Sequence, residues 1–263
     1  MALNWLHGTV LPLLTIAVGA VVGLAYGVLG AGGSAFATPL LAMVGVPGLA
    51  AVASPLPATI PAAILGAWRH RGSGAVDFGV AARLIALGVP AALAGAAASP
   101  HVGGRALLVL SGLVLVALGV RMIGLWRARN VQSVASDGNE ARPTSTVVLV
   151  GGSLLIGFAT GLLANGGGFL LVPFLMLALG FDMHRAAGTS LAAAAAFTVP
   201  TVVVHAVIGN INWPVAAAFA VGLAPASYIG AMIAPRLAAE RVHMTFAVML
   251  LGLGLWFTAS QLT

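Results

Sequence analysis

Residues 27–41 read GVLGAGGSAFATPLL and residues 161–175 read GLLANGGGFLLVPFL, and these two related stretches decide how the chain folds. Each begins with a glycine, carries further glycines in its middle, and then contains a proline, Pro39 in one copy and Pro173 in the other. The proline follows the first glycine at the same distance in both copies. Similarity of this kind between distant stretches indicates an internal repeat.

The same relation continues further along the chain. Residues 74–78 (GAVDF) correspond to residues 209–213 (GNINW), and Pro90 corresponds to Pro225. The offset between matching positions stays at 134 or 135 residues throughout. Because a constant offset over so many positions is improbable by chance, the chain is predicted to consist of two repeated halves.

The composition places both halves in a membrane. Hydrophobic residues make up 60% of the 263 residues and charged residues only 6%, against about 45–50% and about 25% in soluble domains. A soluble fold could not bury so much apolar surface, which excludes a soluble enzyme, a nucleic-acid-binding protein and a disordered chain. The absence of cysteine excludes disulfides and thiolate metal sites.

Eight apolar stretches are long enough to be membrane spans. They are Thr9–Leu29, Leu49–Trp68, Phe78–Ser99, Ala106–Trp126, Thr146–Leu163, Ala187–Ile208, Val215–Ala234 and Met244–Ala259. The polar segment between the fourth and fifth of these stretches is predicted to be a flexible cytoplasmic linker. The predicted divisions are a first transmembrane repeat at 1–126, the linker at 127–145 and a second transmembrane repeat at 146–263.

The distribution of arginine favours inverted repeats over parallel ones. If each glycine-rich break folds its unit into a hairpin, each half crosses the membrane an odd number of times, and the halves are inverted. With a cytoplasmic linker, ten of the 11 cationic residues then lie on the inner side and only Arg105 lies outside. Parallel halves would move Arg185, Arg236 and Arg241 outside. The positive-inside rule therefore favours inverted halves with both chain termini outside.

The glycine-rich breaks are candidate substrate-binding segments. Glycine allows sharp turns and close approach of a ligand to backbone N–H groups, and a helix that begins after such a turn presents an anion site. In the first half Thr38 and Pro39 could also begin that helix, so its start is open. Tight helix packing is the alternative role of the glycines. The candidates are Gly32, Gly33 and Ser34 in the first half and Asn165, Gly166, Gly167 and Gly168 in the second.

Three hydroxyl residues open the spans that follow the breaks. Ser54 in the first half and Thr189 and Ser190 in the second could donate hydrogen bonds to an oxyanion. They could equally bond to the carbonyl one turn back in their own helix. Pro55, directly after Ser54, predicts a bend or a partly unwound turn there.

The residues that are missing from the spans limit the chemistry further. All five carboxylates lie in predicted loops or in the linker, so no carboxylate proton relay or sodium site is expected within the membrane. His205 is placed at the membrane interface rather than in a proton path. No nucleophile–base pair, metal-ligand motif or phosphate-binding loop appears, so the sequence predicts neither an enzyme, nor a cofactor, nor a metal site.

The two glycine-rich stretches, the sequence AAGTSL at 186–191 and GAVDF at 74–78 resemble the TauE/SafE sulfite-exporter family, over nearly the whole chain. The chain departs from the family pattern in two places, because Ser34 replaces a third glycine and Ala53-Ser54 replaces a Thr-Ser pair. The resemblance implies a multi-pass carrier in the bacterial inner membrane for small sulfur-containing anions such as sulfite or organosulfonates.

These observations together predict an all-α polytopic membrane protein of two inverted repeats, each a glycine-broken hairpin plus three transmembrane helices. The predicted function is export of a small anion by alternating access around a midplane site at the two breaks. An anion channel and an importer of a related oxyanion are the alternatives. The expected partners are the small anionic substrate and the lipid bilayer, with no nucleic acid, and a homo-oligomer is left open.

Overall fold

Long apolar helices form the whole of the described fold. The computed structural model describes residues 2–46, 48–102, 104–132, 146–163 and 170–262, and in these ranges every regular element is helical. Helical stretches that are long and apolar enough to cross a membrane number 7 among these residues, and Val109–Gly124 is a shorter apolar helix. The predicted all-α membrane fold is thus confirmed. The seven are Leu11–Met43, Ala50–Arg71, Phe78–Ser99, Thr146–Leu163, Met183–Val207, Trp213–Arg236 and Ala239–Ala259.

The first half contains six α-helices. They are α1 (Ala2–Leu29), α2 (Ala37–Met43), α3 (Gly48–Ala53), α4 (Leu56–Arg71), α5 (Phe78–Val102) and α6 (Gly104–Gln132). The break between α3 and α4 falls at Ser54 and Pro55, as predicted, because proline cannot continue the hydrogen-bond ladder of the preceding helix. Helix α6 continues six residues into the predicted linker, and residues 133–145 lie outside the described residues.

The second half repeats this order, with the counterparts of α3 and α4 joined in one continuous helix. It contains α7 (Thr146–Leu163), α8 (Leu171–Leu177), α9 (Met183–Val207), α10 (Trp213–Ile233) and α11 (Ala239–Leu262). Matching turns join matching helices: Gly74, between α4 and α5, has φ +70°, and Gly209, between α9 and α10, has φ +74°. Both positions need a left-handed backbone, which glycine adopts without strain.

Close glycine contacts bind the halves to each other. Gly19 lies against the backbone of Phe219, and Gly27 lies against that of Ser227, so α1 and α10 run parallel. In the same way α7 runs parallel to α5, with Gly161 against the backbone of Ala92. Within lipid, helices gain little from hydrophobic burial, and small residues allow the close backbone approach that stabilises helix pairs.

Two pairs of corresponding helices, α4 with α9 and α6 with α11, also pack against each other, and each pair runs antiparallel. In the α4–α9 pair, Gly66 lies beside Leu191 while His70 lies beside Gly188. The α6–α11 pair likewise places Gly112 beside Thr258, and Gly119 lies beside Leu251. As a result, the last turn of α4 and the first turn of α9 lie at the same end of the bundle.

Candidate functional site

The first glycine-rich segment is a buried 3₁₀ helix that touches the second half. It spans Gly30–Phe36 between α1 and α2, and all seven of its residues are buried. Gly30, at φ +71°, turns the chain out of α1. The next residue, Ala31, donates its N–H to the Ser190 hydroxyl at 3.1 Å. One backbone donor at this break is therefore already paired with a predicted site residue on α9.

The glycines at 32 and 33 occupy positions where a side chain would not fit. A Cβ at Gly32 would lie 2.6 Å from the Phe246 ring, and one at Gly33 would collide with the backbone of Tyr26. Ser34 donates its hydroxyl hydrogen to the Ala31 carbonyl at 2.8 Å. In this conformation, close packing accounts for both glycines, which is the alternative role that the sequence left open.

Helix α2 does not begin at a free turn. The residue before it, Phe36, has helical backbone angles (φ −85°, ψ −14°), so the 3₁₀ segment leads directly into the helix. Thr38 and Pro39 lie inside the first turn of α2 rather than at its cap. The expectation of an open helix N-terminus at this break is wrong, because the backbone continues helically through it.

The predicted hydroxyls make two matching contacts between the halves. Thr189 accepts a hydrogen bond from the backbone N–H of Asp77 at 3.0 Å, and Ser54 accepts one from Asn212, also at 3.0 Å. Thr189 is the repeat counterpart of Ser54, and Asn212 is that of Asp77. Each half thus supplies one hydroxyl that holds the loop before a long helix of the other half. We call these two the reciprocal contacts.

The hydroxyl of Ser190 has two partners at once. It accepts from Ala31 and donates to the carbonyl of Ala187, one turn back in its own helix, at 2.8 Å. Back-bonding within the helix and contact with the glycine segment were alternatives from sequence, and the structure shows both. Its proton and one of its two lone pairs are therefore used.

The predicted site residues therefore form two groups in the described part of the chain. The 3₁₀ segment with Gly32, Gly33 and Ser34 meets α9 through Ser190, and Thr189 lies next to it. Ser54 lies at the start of α4, beside the start of α10, and joins a different part of the bundle. The second run, Asn165, Gly166, Gly167 and Gly168, lies outside the described residues.

Charged residues gather at the end of the bundle that Thr189 faces. Arg185 forms an ion pair with Asp77 at 2.7 Å and lies 4.2 Å from the centre of the Phe181 ring. Burial raises the pKa of the Asp77 carboxyl, but the N–H of Val80 and the Arg185 guanidinium lower that pKa more, so it lies below its usual range. The ion pair is thus complete at neutral pH.

Two cavities with cationic walls open at the same end. One, of about 440 Å³, lies between α4 and α10 and is lined by Arg69 and Arg71. The other, of about 330 Å³, lies between the end of α1 and the start of α11 and is lined by Arg236 and Arg241. This end of the bundle attracts anions, because positive charge lines both openings.

Two buried histidines form a repeat-related pair that the sequence analysis did not identify. His70, only 1% exposed, donates through Nε2 to the Gly27 carbonyl at 3.0 Å, which caps the end of α1. Its counterpart His205 is 2% exposed and lies 3.3 Å from the Asn210 amide nitrogen through Nδ1. His205 lies near the end of its span, as the sequence predicted, with its side chain buried in the bundle, and its interfacial position stays a prediction. Their spacing of 135 residues was the signal that could have revealed the pair.

The reciprocal contacts predict a specific loss of stability. Thr189→Val keeps the shape of the side chain but leaves the Asp77 N–H without its acceptor, which costs about 1–2 kcal/mol. We expect a lower melting temperature in detergent. Thr198→Val is the matched control, because the Thr198 hydroxyl donates only to Ala194 within its own helix. Equal melting temperatures of the two variants would show that the contact between the halves adds no stability.

Comparison with known proteins identifies the family. The family model described as "Sulfite exporter TauE/SafE" matches residues 15–257. A "Probable membrane transporter protein" of Xylella fastidiosa strain Temecula1 is 33% identical over 236 residues, which cover 87% of each chain. A protein of the same name from strain 9a5c is 32% identical over 233 residues, again with 87% coverage of both. No solved structure matches. The membrane-spanning helices of the chain and its similarity to these relatives show that it is a multi-pass membrane transporter, and it belongs to the TauE/SafE sulfite exporter family.

Proposed function

We propose that the protein exports small sulfur-containing anions, such as sulfite or an organosulfonate, across the bacterial inner membrane. The family supports the substrate class, and the cationic cavity between α1 and α11 supports an anion. The observation that carries the mechanism is the pair of reciprocal contacts, because it joins the two halves at matching positions. Matching hydrogen bonds at the two ends of the interface can break and re-form as the halves move against each other, as alternating access requires.

The two halves are proposed to be inverted repeats. The antiparallel direction of corresponding helices supports this arrangement, since a parallel repeat would keep them parallel. The arginines of the described ion pair and cavities support a cytoplasmic position for their end of the bundle. The reciprocal contacts then lie towards opposite faces of the membrane, one at each end of the α4–α9 pair.

Backbone donors at the breaks are the proposed anion ligands. In the described conformation the Ala31 N–H is paired with Ser190, and the Asp77 N–H is paired with Thr189. When the halves separate, each donor loses its hydroxyl acceptor, and an oxyanion can take its place. An unpaired buried N–H is costly, so this exchange favours substrate binding in the open state. The Asn212 N–H, now paired with Ser54, and the second glycine run at 165–168 are proposed to serve the same function from the other half.

Cysteine labelling tests the inverted arrangement, and a chain without native cysteine gives no background. Ser73 and Ile208 are repeat counterparts in exposed turns after α4 and α9. We expect Ser73→Cys to react with a membrane-impermeant maleimide only from the cytoplasmic side and Ile208→Cys only from the outer side. Each variant serves as the control of the other, and labelling of both from one side would contradict inverted repeats.

Transport in proteoliposomes tests the function. Vesicles loaded with sulfite, taurine or sulfate would be assayed for efflux with and without an imposed pH or sodium gradient. We expect sulfite or the sulfonate to move against its own gradient when the driving gradient is present. Movement that only dissipates the gradient of the anion would indicate the alternative, a channel. No flux of any sulfur anion would contradict the proposed substrate class.

A further inference from the structure

The cavity between α4 and α10 has the chemistry of a lipid headgroup site. Arg69 and Arg71 supply two cations, and none of the six lining residues is a carboxylate. Trp68 and Tyr228 line the same cavity and stack with ring centres 6.4 Å apart. Guanidinium groups bind phosphate, and Trp and Tyr are the residues that anchor a protein at the level of the headgroups.

The surface that continues from this cavity is apolar and exposed. Trp68 is 63% exposed, and Ile64, one turn earlier on α4, is 57% exposed. On α10, Val221 and Ile229 are exposed by 63% and 44%. A soluble ion would gain nothing from these side chains, whereas the acyl chains of a lipid would cover them. The cavity with its apolar surroundings therefore fits an amphiphile better than a small ion.

The repeat supplies an independent comparison. The counterparts of the cavity residues at the other end of the bundle are apolar without exception: Val203, Val204, Ala206, Val207, Leu93 and Ala97. A vestibule for the transported anion would be needed at both ends of a carrier built from two repeats. Arginines that line this cavity but not its counterpart are instead explained by the membrane, because anionic lipid attracts basic residues on the cytoplasmic side.

We infer that the α4–α10 cavity binds the headgroup of an anionic phospholipid of the inner leaflet. The phosphodiester lies between Arg69 and Arg71, the Trp68–Tyr228 pair lies at the level of the glycerol, and one acyl chain follows the exposed faces of α4 and α10. The bound lipid bridges a helix of the first half to a helix of the second. It therefore stabilises the contact between halves that the reciprocal contacts also serve.

Lipid binding to the purified protein tests this inference without any transport assay. In an uncharged detergent, phosphatidylglycerol and phosphatidylcholine with identical acyl chains would be titrated, and bound lipid would be counted by native mass spectrometry. We expect tighter binding of phosphatidylglycerol, and a loss of about five-fold in its apparent affinity for each arginine that is replaced. The variants are Arg71→Gln and the double variant Arg69→Gln/Arg71→Gln.

Arg121→Gln on α6 is the control, because it removes one exposed cation outside the cavity. It is expected to keep the preference of the unaltered protein. If the double variant fails to fold, the single Arg71→Gln variant decides, since this arginine is exposed. An unchanged preference in these variants would overturn the inference. Displacement of the lipid by glycerol phosphate or sulfite at similar concentrations would also overturn it, because the cavity would then be a site for soluble anions.

Discussion

Gly161→Ala is expected to prevent stable packing of the second half. Gly161 lies in α7 against the backbone of Ala92 in α5, and a Cβ would collide with the Ala92 carbonyl oxygen and the Ala96 nitrogen. Backbone atoms cannot rotate away, so the two helices would have to separate along their whole contact. We expect a loss of about 3 kcal/mol or more, measured as a lower melting temperature and a smaller folded fraction after extraction in detergent.

Gly151→Ala, nearly three turns earlier on the same helix, is the matched control. A Cβ at Gly151 would meet nothing within 4 Å. Because alanine favours helix by about 1 kcal/mol over glycine, this variant should be as stable as the unaltered protein or more stable. If Gly161→Ala and Gly151→Ala have the same melting temperature, the close packing of α5 and α7 does not hold the halves together.

Gly30→Ala is expected to abolish transport. A Cβ at Gly30 would lie 2.5 Å from the Ala187 Cα and 2.6 Å from the Ser190 hydroxyl oxygen, and the residue has φ +71°. Alanine in this conformation costs about 1–2 kcal/mol even in open space. The added collision pushes the 3₁₀ segment from α9 and breaks the Ala31–Ser190 hydrogen bond, so the closed state to which the proposed mechanism must return can no longer form.

The control separates backbone strain from the contact with α9. Gly45 also has a positive φ, +93°, but a Cβ there would meet nothing within 4 Å. Gly45→Ala should therefore show the cost of strain alone, with a modestly lower melting temperature and nearly normal transport in proteoliposomes. Equal transport rates of the two variants would contradict a functional contact between the glycine segment and α9.

The spans could be predicted from sequence because they depend on local composition. Apolar runs, prolines and the repeat offset each report on a short stretch, and Pro55 predicted the break between α3 and α4 correctly. The start of α2 could not be located in this way. The glycine segment continues into that helix because it is packed on all sides, by Phe246 and Tyr26 among others, and such packing lies outside the local sequence.

The candidate site was predictable only as a set of residues. Thr189 and Ser54 were named for their hydroxyls, but their partners lie 112 and 158 positions away in the other half. The residue type alone does not show whether a hydroxyl binds a ligand or accepts a hydrogen bond from a backbone N–H elsewhere in the chain. The surroundings of His205 could not be predicted for a similar reason: its place near the end of α9 follows from the sequence, but its contact with Asn210 in the following turn does not.

The parallel pairing of α1 with α10 has a consequence for biosynthesis. The glycine face of α1 finds its partner only when the chain has been made as far as Trp213–Ile233, so α1 enters the membrane long before that face can be covered. Until then lipid or the insertion machinery must shield a surface that is shaped for another helix. Assembly of the bundle is therefore completed only after translation of most of the chain.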